Sequence, residues 1–337
     1  MDSLTHLVLG AWVGWLWAKK LRRKVLPWGM AIATIPDLDV FLGRLLFDHE
    51  VQASLFHRWP MHSLLFCLLM APLLASLFRF VLYKEKNTWR AWCWLSFFAL
   101  ISHPLLDSLT NYGTRLLWPF VDTSFSFNSI FIVDPLYTIP FLFFIILALF
   151  SRSREKIIRL SRWWLFLSTS YLLLGLGIKA WITPAMKLWL VDAGYTCEKV
   201  MTTPEFFQLL LRKSVAVCDD ELVESWKSVL DGDRMMDIVA WDHHQDQIDV
   251  YRGHVLTDRV LAWSQGFFLV SDADPLSGKI VSDMRFGRLL GWNETGSSLS
   301  HFAFRVMDDD VSSASSFGGR VFPENFWGRW WERVWGG

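Results

Sequence analysis

The stretch "AWCWLSFFALISHPLLDSLTNYG" (91–113) decides the fold of the N-terminal half of this chain. Its first part is an apolar run that approaches the roughly 20 residues with which a helix crosses a bilayer. Its second part places His103 and Asp107 four positions apart, so on a helix both side chains lie on one face. Ionisable groups inside an apolar run are costly without partners. The stretch therefore predicts a membrane helix that ends in a polar site.

The composition of the whole chain is that of a membrane protein with an added water-soluble part. Of 337 residues, 53% are hydrophobic and 16% aromatic, and 21 are Trp. Further apolar stretches predict membrane helices, of which the first two are short, so four spans are better supported than six. The six apolar stretches lie at 4–18, 25–36, 62–83, 91–107, 131–150 and 163–182.

Basic residues predict the orientation of these helices. Three connections, at 19–24, 79–90 and 152–162, contain 14 Lys or Arg, whereas the alternate connections, 37–62 and 108–130, contain three. The positive-inside rule places the first set in the cytoplasm and the second set outside. The formal net charge of zero gives no sign of the basic surface that nucleic acids need, so no nucleic-acid partner is expected.

The C-terminal part differs in composition and predicts a separate domain. It holds most of the acidic residues, and strand-like segments at 214–219, 266–273, 278–287 and 301–309 accompany a helical pattern at 254–266. We expect a helical membrane domain at 1–182 and a smaller α+β extramembrane domain at 183–337, on the outer side if the last apolar helix crosses. Cys197 and Cys218 could pair there in an oxidising compartment. The Trp-rich tail, 324–337, is either an interfacial helix or a docking segment.

Polar residues gather at the helix ends opposite the basic connections. Because the orientation comes from Lys and Arg alone, this convergence is an independent observation. His and Asp side chains together favour zinc, with manganese or iron as alternatives. We expect Pro60 to place His57 in a loop and His62 in a first helical turn, and an extended segment to direct Asp37 and Asp39 the same way. The candidate metal ligands are His6, Asp37, Asp39, His57, His62, His103 and Asp107.

Four segments in order carry a resemblance to a known family. "MDSLTH" (1–6), "IPDLDVF" (35–41), "FHRWPMHSLL" (56–65) and "SHPLLDSLTNYGTRLLWPF" (102–120) resemble the motifs of the YdjM-like family of membrane-bound, metal-dependent hydrolases. This family is distantly similar to the zinc-dependent phospholipase C and single-strand nuclease superfamily. The resemblance implies a bacterial inner-membrane location. It also implies that His103 and Asp107 form an HxxxD metal pair. Trp59 departs from the pattern, since a glycine is common there.

A hydrolase with one to three divalent ions is the function that these features predict. The ion would lower the pKa of a bound water, with Asp39 or Asp107 orienting or deprotonating it. Arg58 would either stabilise charge on a phosphate or extend to lipid headgroups. We expect a phosphoester or lipid-linked substrate in the headgroup layer at the outer surface of the membrane. The alternatives are a non-catalytic scaffold or regulator with a structural metal, and a transporter.

Overall fold

The computed structural model describes most of the chain, and the following account concerns these residues only. They are 2–21, 25–82, 88–151, 153–219, 221–232, 237–243, 246–272, 278–287, 302–307, 310–313 and 325–336.

The fold is mostly helical, with β-sheets in the C-terminal part. Two compact units divide it: unit 1 comprises 1–43, 56–176 and 206–208, and unit 2 comprises 44–55, 177–205 and 209–337. The division predicted from the sequence, at 182/183, stays a prediction. The helices, in chain order, are α1 (Ser3–Leu21), α2 (Val25–Ala33), α3 (Asp39–Leu46), α4 (Glu50–Phe56), α5 (Leu64–Ser76), α6 (Trp89–Ser108), α7 (Pro135–Phe150), α8 (Arg154–Asp192), α9 (Asp246–Asp249), α10 (Val255–Trp263) and α11 (Phe326–Val334).

The segment 37–62, expected to be a connection, is largely helical. A 3-10 turn at Pro36–Leu38 continues into α3, so the expectation of an extended segment around Asp37 and Asp39 is wrong. Pro36 occupies the first position of this turn, where its missing N–H costs nothing. A second 3-10 turn, Pro60–His62, precedes α5, whose first N–H groups are capped by the Ser63 hydroxyl, which accepts from the N–H of Phe66 at 3.1 Å.

By length and composition, one described helix suffices to cross a membrane, namely α8 from Glu155 onward. Two bent pairs raise the number to three if each pair is one span: α2 with the helical segment 36–46, and 50–62 with 64–80. The several-span arrangement predicted from the sequence is therefore shown only in part.

Helices α1 and α2 lie unusually close together. An added Cβ at Gly10 would overlap the carbonyl oxygen of Gly29, so only glycine allows this approach. Helix α5 also packs through small residues. Cys67, Ala71 and Ala75 are buried, whereas Leu68 and Leu73 are exposed. Small residues inside and leucines outside are typical of helices that face lipid.

Unit 2 contains two four-stranded antiparallel sheets, each in sequential order. The last turns of α8 pack on the first sheet through Ile182, Met186 and Leu190. Val51 of α4 is buried in the core of the second sheet. The first sheet consists of β1 (Cys197–Pro204), β2 (Leu211–Cys218), β3 (Glu221–Ser228) and β4 (Asp237–Asp242), and the second of β5 (Phe268–Asp272), β6 (Lys279–Asp283), β7 (Ala303–Val306) and β8 (Val311–Ser313).

Strands β5, β6 and β7 lie in segments predicted as strands, and β2 overlaps such a segment; α10 lies in the predicted helical segment. Helix α11 lies in the Trp-rich tail, for which a helix was one of two alternatives. The other four strands were not predicted. Cys197 and Cys218 are register partners of β1 and β2 and form a disulfide.

Candidate metal centre

Each part of the predicted polar site is placed by a local feature of the sequence. Asp2 caps α1 by accepting the N–H of Thr5 at 2.9 Å, which places His6 in the first turns of that helix. Asp37 and Asp39 lie in and after the Pro36 turn, and His62 lies in the Pro60 turn. His103 and Asp107 lie in α6, where their four-residue spacing brings Nε2 and Oδ2 within 3.4 Å.

One group of possible ligands consists of His6, His103 and Asp107, each of which is buried. His6 Nε2 lies 3.2 Å from Asp107 Oδ1, and the rings of His6 and His103 stack with centroids 3.5 Å apart. The ligand atoms of this group lie within 4.8 Å of one another. Three donors at this spacing can hold one ion.

A second group consists of Asp37, His57 and His62, again with ligand atoms within 4.8 Å of one another. His62 is fully buried, whereas the side chains of Asp37 and His57 are 23% and 20% exposed. The second group is therefore the side of the cluster that solvent reaches.

The two groups adjoin each other. Asp37 Oδ1 lies 3.3 Å from His103 Nε2, and Asp107 Oδ2 lies 3.4 Å from His62 Nε2. Two ligands of a tetrahedral zinc ion, each about 2.0–2.1 Å from the metal, are separated by about 3.3–3.4 Å. These atoms therefore have the spacing of metal ligands, and each carboxylate lies within reach of histidines from both groups.

The imidazole rings are held so that a nitrogen of each is directed into the cluster. His103 donates from Nδ1 to the carbonyl oxygen of Ala33 at 2.6 Å, which leaves the Nε2 lone pair for an ion. His57 donates from Nδ1 to Asp39 Oδ1 at 2.7 Å, and His62 Nδ1 lies 2.9 Å from Asp39 Oδ2. Asp39 thus orients two histidines at once.

Buried nitrogen atoms in the cluster lack hydrogen bonds. Within the described part of the chain, no hydrogen-bond partner is found for His62 Nε2, His103 Nε2 or His6 Nδ1. Leaving such a group buried and unsatisfied costs about 1–3 kcal/mol. A cation bound among these nitrogens would remove that cost, so the residues present fit a metal ion.

Arg58, the cationic residue that the sequence singled out, also lies at the cluster. Its φ of 64° is left-handed, a conformation that costs a non-glycine residue about 1–3 kcal/mol. In this conformation its N–H donates to Asp39 Oδ2 at 2.9 Å, while its guanidinium lies 3.1 Å from Asp107 Oδ1. The guanidinium also donates to the Thr110 hydroxyl and lies over the ring of Tyr112.

The structure brings together all seven predicted ligands and Arg58. It adds partners that the sequence did not single out, among them the Ala33 carbonyl, the Ser3 hydroxyl, Thr110 and Tyr112. Thr110 and Tyr112 follow Asp107 in the quoted stretch, and their polar character beside the HxxxD pair was the available signal. No sequence signal identifies the Ala33 carbonyl, because every residue carries such an oxygen.

Two other acidic residues and one His/Asp segment have separate contacts. Asp134 caps α7 and accepts from the Tyr171 hydroxyl at 2.8 Å, and Asp122 pairs with Arg115 at 3.1 Å. The segment 241–249 also contains several His and Asp residues; there His243 packs on Phe268, and residues 244–245 lie outside the described residues.

The helical fold and the buried His/Asp cluster together define a membrane protein with a candidate metal centre. Residues 1–182 match the family model described as YdjM inner membrane protein. The chain belongs to this family. No curated protein matches the chain, and no solved structure matches it.

Proposed function

We propose that the chain is a membrane-bound, metal-dependent hydrolase that acts on a phosphoester or lipid-linked substrate. The observation that carries the proposal is the pair of adjoining three-residue groups, six His and Asp donors in all. Catalytic zinc sites use three protein ligands and keep one position open, whereas structural sites use four. Two sets of three donors therefore favour a catalytic site with two ions over a single closed one.

Zinc is the ion that we propose, with manganese or iron as alternatives, because the donors are imidazoles and carboxylates. When bound, such an ion supplies Lewis acidity and a water of lowered pKa. The exposed edges of Asp37 and His57 provide the side from which a substrate enters.

The chain's own residues divide into ligands and residues that position them. We propose that Asp39, predicted as a ligand and catalytic group, acts instead through His57 and His62, because both of its oxygens are already occupied by their contacts and by the Arg58 N–H. Asp107 is a ligand rather than a base, since it faces His6, His62 and His103. Arg58 offsets the negative charge of Asp107 and binds a phosphoryl oxygen of the substrate.

The membrane arrangement is also a proposal. We infer several spans with the basic connections in the cytoplasm, supported by the two bent helix pairs and the outward-facing leucines of α5. We place the C-terminal part on the periplasmic side, for which the Cys197–Cys218 disulfide is evidence, because such bonds persist in oxidising compartments. The outer connection around Val51 supports the same side, since Val51 is buried among residues of the second sheet.

A structural metal in a non-catalytic scaffold is the second candidate. It is favoured by the distances of 3.3–3.4 Å from His103 Nε2 to Asp37 and Asp107 and from His62 Nε2 to Asp107, a spacing that four-ligand structural sites share. The number of ions separates the two candidates, because a closed four-ligand site holds one ion.

The test is hydrolysis of a panel of phosphomonoesters, phosphodiesters and phospholipids by the full chain in bilayer nanodiscs with added zinc. We expect activity that His103→Ala abolishes and that His49→Ala preserves, since His49 contacts Asp310 and the N–H of Val51, which lie outside the cluster. One ion per chain with no hydrolysis of any substrate would support the scaffold instead.

A further inference from the structure

Helix α11 carries a stripe of exposed tryptophans. Trp327, Trp331 and Trp335 are 55%, 58% and 54% exposed, and their four-residue spacing aligns them along one side. The rings of Trp331 and Trp335 contact each other with centroids 5.5 Å apart. Large aromatic side chains exposed together mark an interaction surface. We call these three residues the Trp ridge.

The ridge is not the side by which α11 packs on its own unit. A neighbouring side of the helix buries Phe326, Trp330 and Val334. Arg333 fastens it, donating to Asp237 and Asp231 at 2.7 Å each and to the carbonyl oxygen of Trp226 at 3.1 Å. The ridge is therefore held outward on a helix that is fixed to the first sheet.

The first sheet is itself tied to the membrane helix. Residues 193–196 alone separate the end of α8 from β1, and the last turns of α8 pack on this sheet. With 39 residues, α8 is about 58 Å long, whereas the hydrocarbon core of a bilayer is about 30 Å thick. The helix is therefore longer than the core that it would cross, and we infer that the end that contacts the sheet extends beyond the core, with the sheet at the membrane surface.

We propose that the Trp ridge inserts into the headgroup layer of the membrane that α8 crosses. Tryptophan favours this layer, because its ring is apolar and its indole N–H still finds a partner there. The remaining exposed side of α11 carries Arg329 and Glu332, which suits contact with water.

The area of the ridge favours lipid over a protein partner. Three half-exposed Trp side chains offer roughly 300–400 Å². A stable protein interface buries about 800 Å² on each partner. The ridge alone is too small to hold a second copy of the chain, but bilayer insertion needs no matching surface.

The test uses single cysteines introduced into the full chain, on a background with Cys67→Ala and Cys93→Ala, and labelled with a nitroxide. The labelled positions are Trp327→Cys, Trp331→Cys and Trp335→Cys, with Arg329→Cys and Glu332→Cys as matched controls on the same helix. The protein is placed in liposomes of phosphatidylethanolamine and phosphatidylglycerol. Power saturation then measures collision of each label with oxygen, which concentrates in lipid, and with a water-soluble nickel chelate.

We expect a ratio of oxygen to nickel accessibility that is several-fold higher at the three ridge positions than at the two controls. Equal ratios at all five positions would overturn the proposal, because the ridge would then face water. Low accessibility to both reagents, or spin–spin broadening at the ridge positions, would also overturn it and identify a protein partner or a second copy. A singly labelled variant that combines Trp327→Cys with Trp331→Ala should show a lower ratio at position 327 than Trp327→Cys alone, because one inserting ring is lost; an unchanged ratio would count against insertion of the ridge.

Discussion

The two regions of this molecule bury charged side chains in opposite ways. In the C-terminal part, Asp283 and Arg285 are fully buried and face each other, with Arg285 donating from its backbone N–H, Nε and Nη2 to the same carboxylate. In the N-terminal part, histidines and aspartates form two adjoining groups of possible metal ligands, and buried imidazole nitrogens of these groups have no hydrogen-bond partner among the described residues.

The difference distinguishes a structural pair from a candidate binding site. In a buried ion pair the hydrogen bonds between the two side chains satisfy the polar atoms that make them, so these atoms need no ligand. A cluster whose lone pairs point inward retains a cost of about 1–3 kcal/mol for each unsatisfied group until a ligand binds. The N-terminal cluster is therefore the region in which substitutions should change ligand binding, and the C-terminal pair the region in which they should change stability.

The largest expected effect on binding is that of His103→Ala. This change removes a proposed ligand. Loss of a residue that only orients a ligand lowers metal affinity about 10–100-fold. We therefore expect zinc affinity to fall by more than this. Isothermal titration of metal-stripped protein with zinc measures it, with His49→Ala as the control that keeps wild-type affinity. An unchanged zinc affinity of His103→Ala would contradict the assignment of ligand binding to the N-terminal cluster.

The largest expected effect on stability is that of Asp283→Ala. Arg285 would remain buried but lose the carboxylate to which its backbone N–H, Nε and Nη2 donate, and removal of one member of a buried ion pair costs about 3–5 kcal/mol. Chemical unfolding monitored by circular dichroism measures the loss, and zinc affinity should stay unchanged. The double change Asp283→Leu with Arg285→Met should recover most of the stability, since it removes both charges together. A double variant as unstable as the single one would contradict a purely structural role for the pair.

A smaller effect is expected for Asp39→Asn. The amide keeps the size of the side chain but replaces one acceptor oxygen with a donor, so one contact to His57, His62 or the Arg58 N–H is lost. Zinc affinity should fall about 10–100-fold, as for other groups that orient ligands. A complete loss of zinc, equal to that of His103→Ala, would show that Asp39 is itself a ligand.

The smallest effect is expected at the exposed pair His49 and Asp310. The hydrogen bond that His49 donates at 2.8 Å holds the pKa of Asp310 below its ordinary value. The stabilisation is thus present above the ordinary carboxyl pKa of about 3.9 and is lost as the pH falls through the lowered pKa. The difference in melting temperature between wild type and Asp310→Asn should be small at pH 7 and should shrink on acidification. A difference that grows on acidification would contradict this assignment.

Sequence reasoning located the cluster because its signals are periodic and chemical. The four-residue spacing of His103 and Asp107 and the Pro60 turn predict geometry directly, and the structure places both as the spacing requires. Helices in the apolar stretches, and four of the eight strands in the described part of the chain, were likewise predicted from local sequence patterns. The family membership of residues 1–182 agrees with the resemblance that the motifs carried.

The rest depended on tertiary contacts that no local pattern encodes. Asp39 reads as a ligand in the sequence, and only the positions of His57 and His62 show that its oxygens are occupied. The helices within 37–56 were not predicted, because one of their stabilising contacts is distant in sequence. Val51 packs on apolar residues that lie more than 190 positions further along the chain. Strand β1 was missed because half of its residues are partly or fully exposed, which weakens the hydrophobic signal.

The metal content of the wild-type chain, purified in detergent without chelators, tests the central claim most directly. Elemental analysis should find at least one ion of zinc, manganese or iron per chain, and two if both groups are filled. The same measurement on His103→Ala with Asp107→Ala should find none. A wild-type protein that is folded, as shown by an intact Cys197–Cys218 disulfide and a cooperative unfolding transition, and that contains no metal would contradict the account.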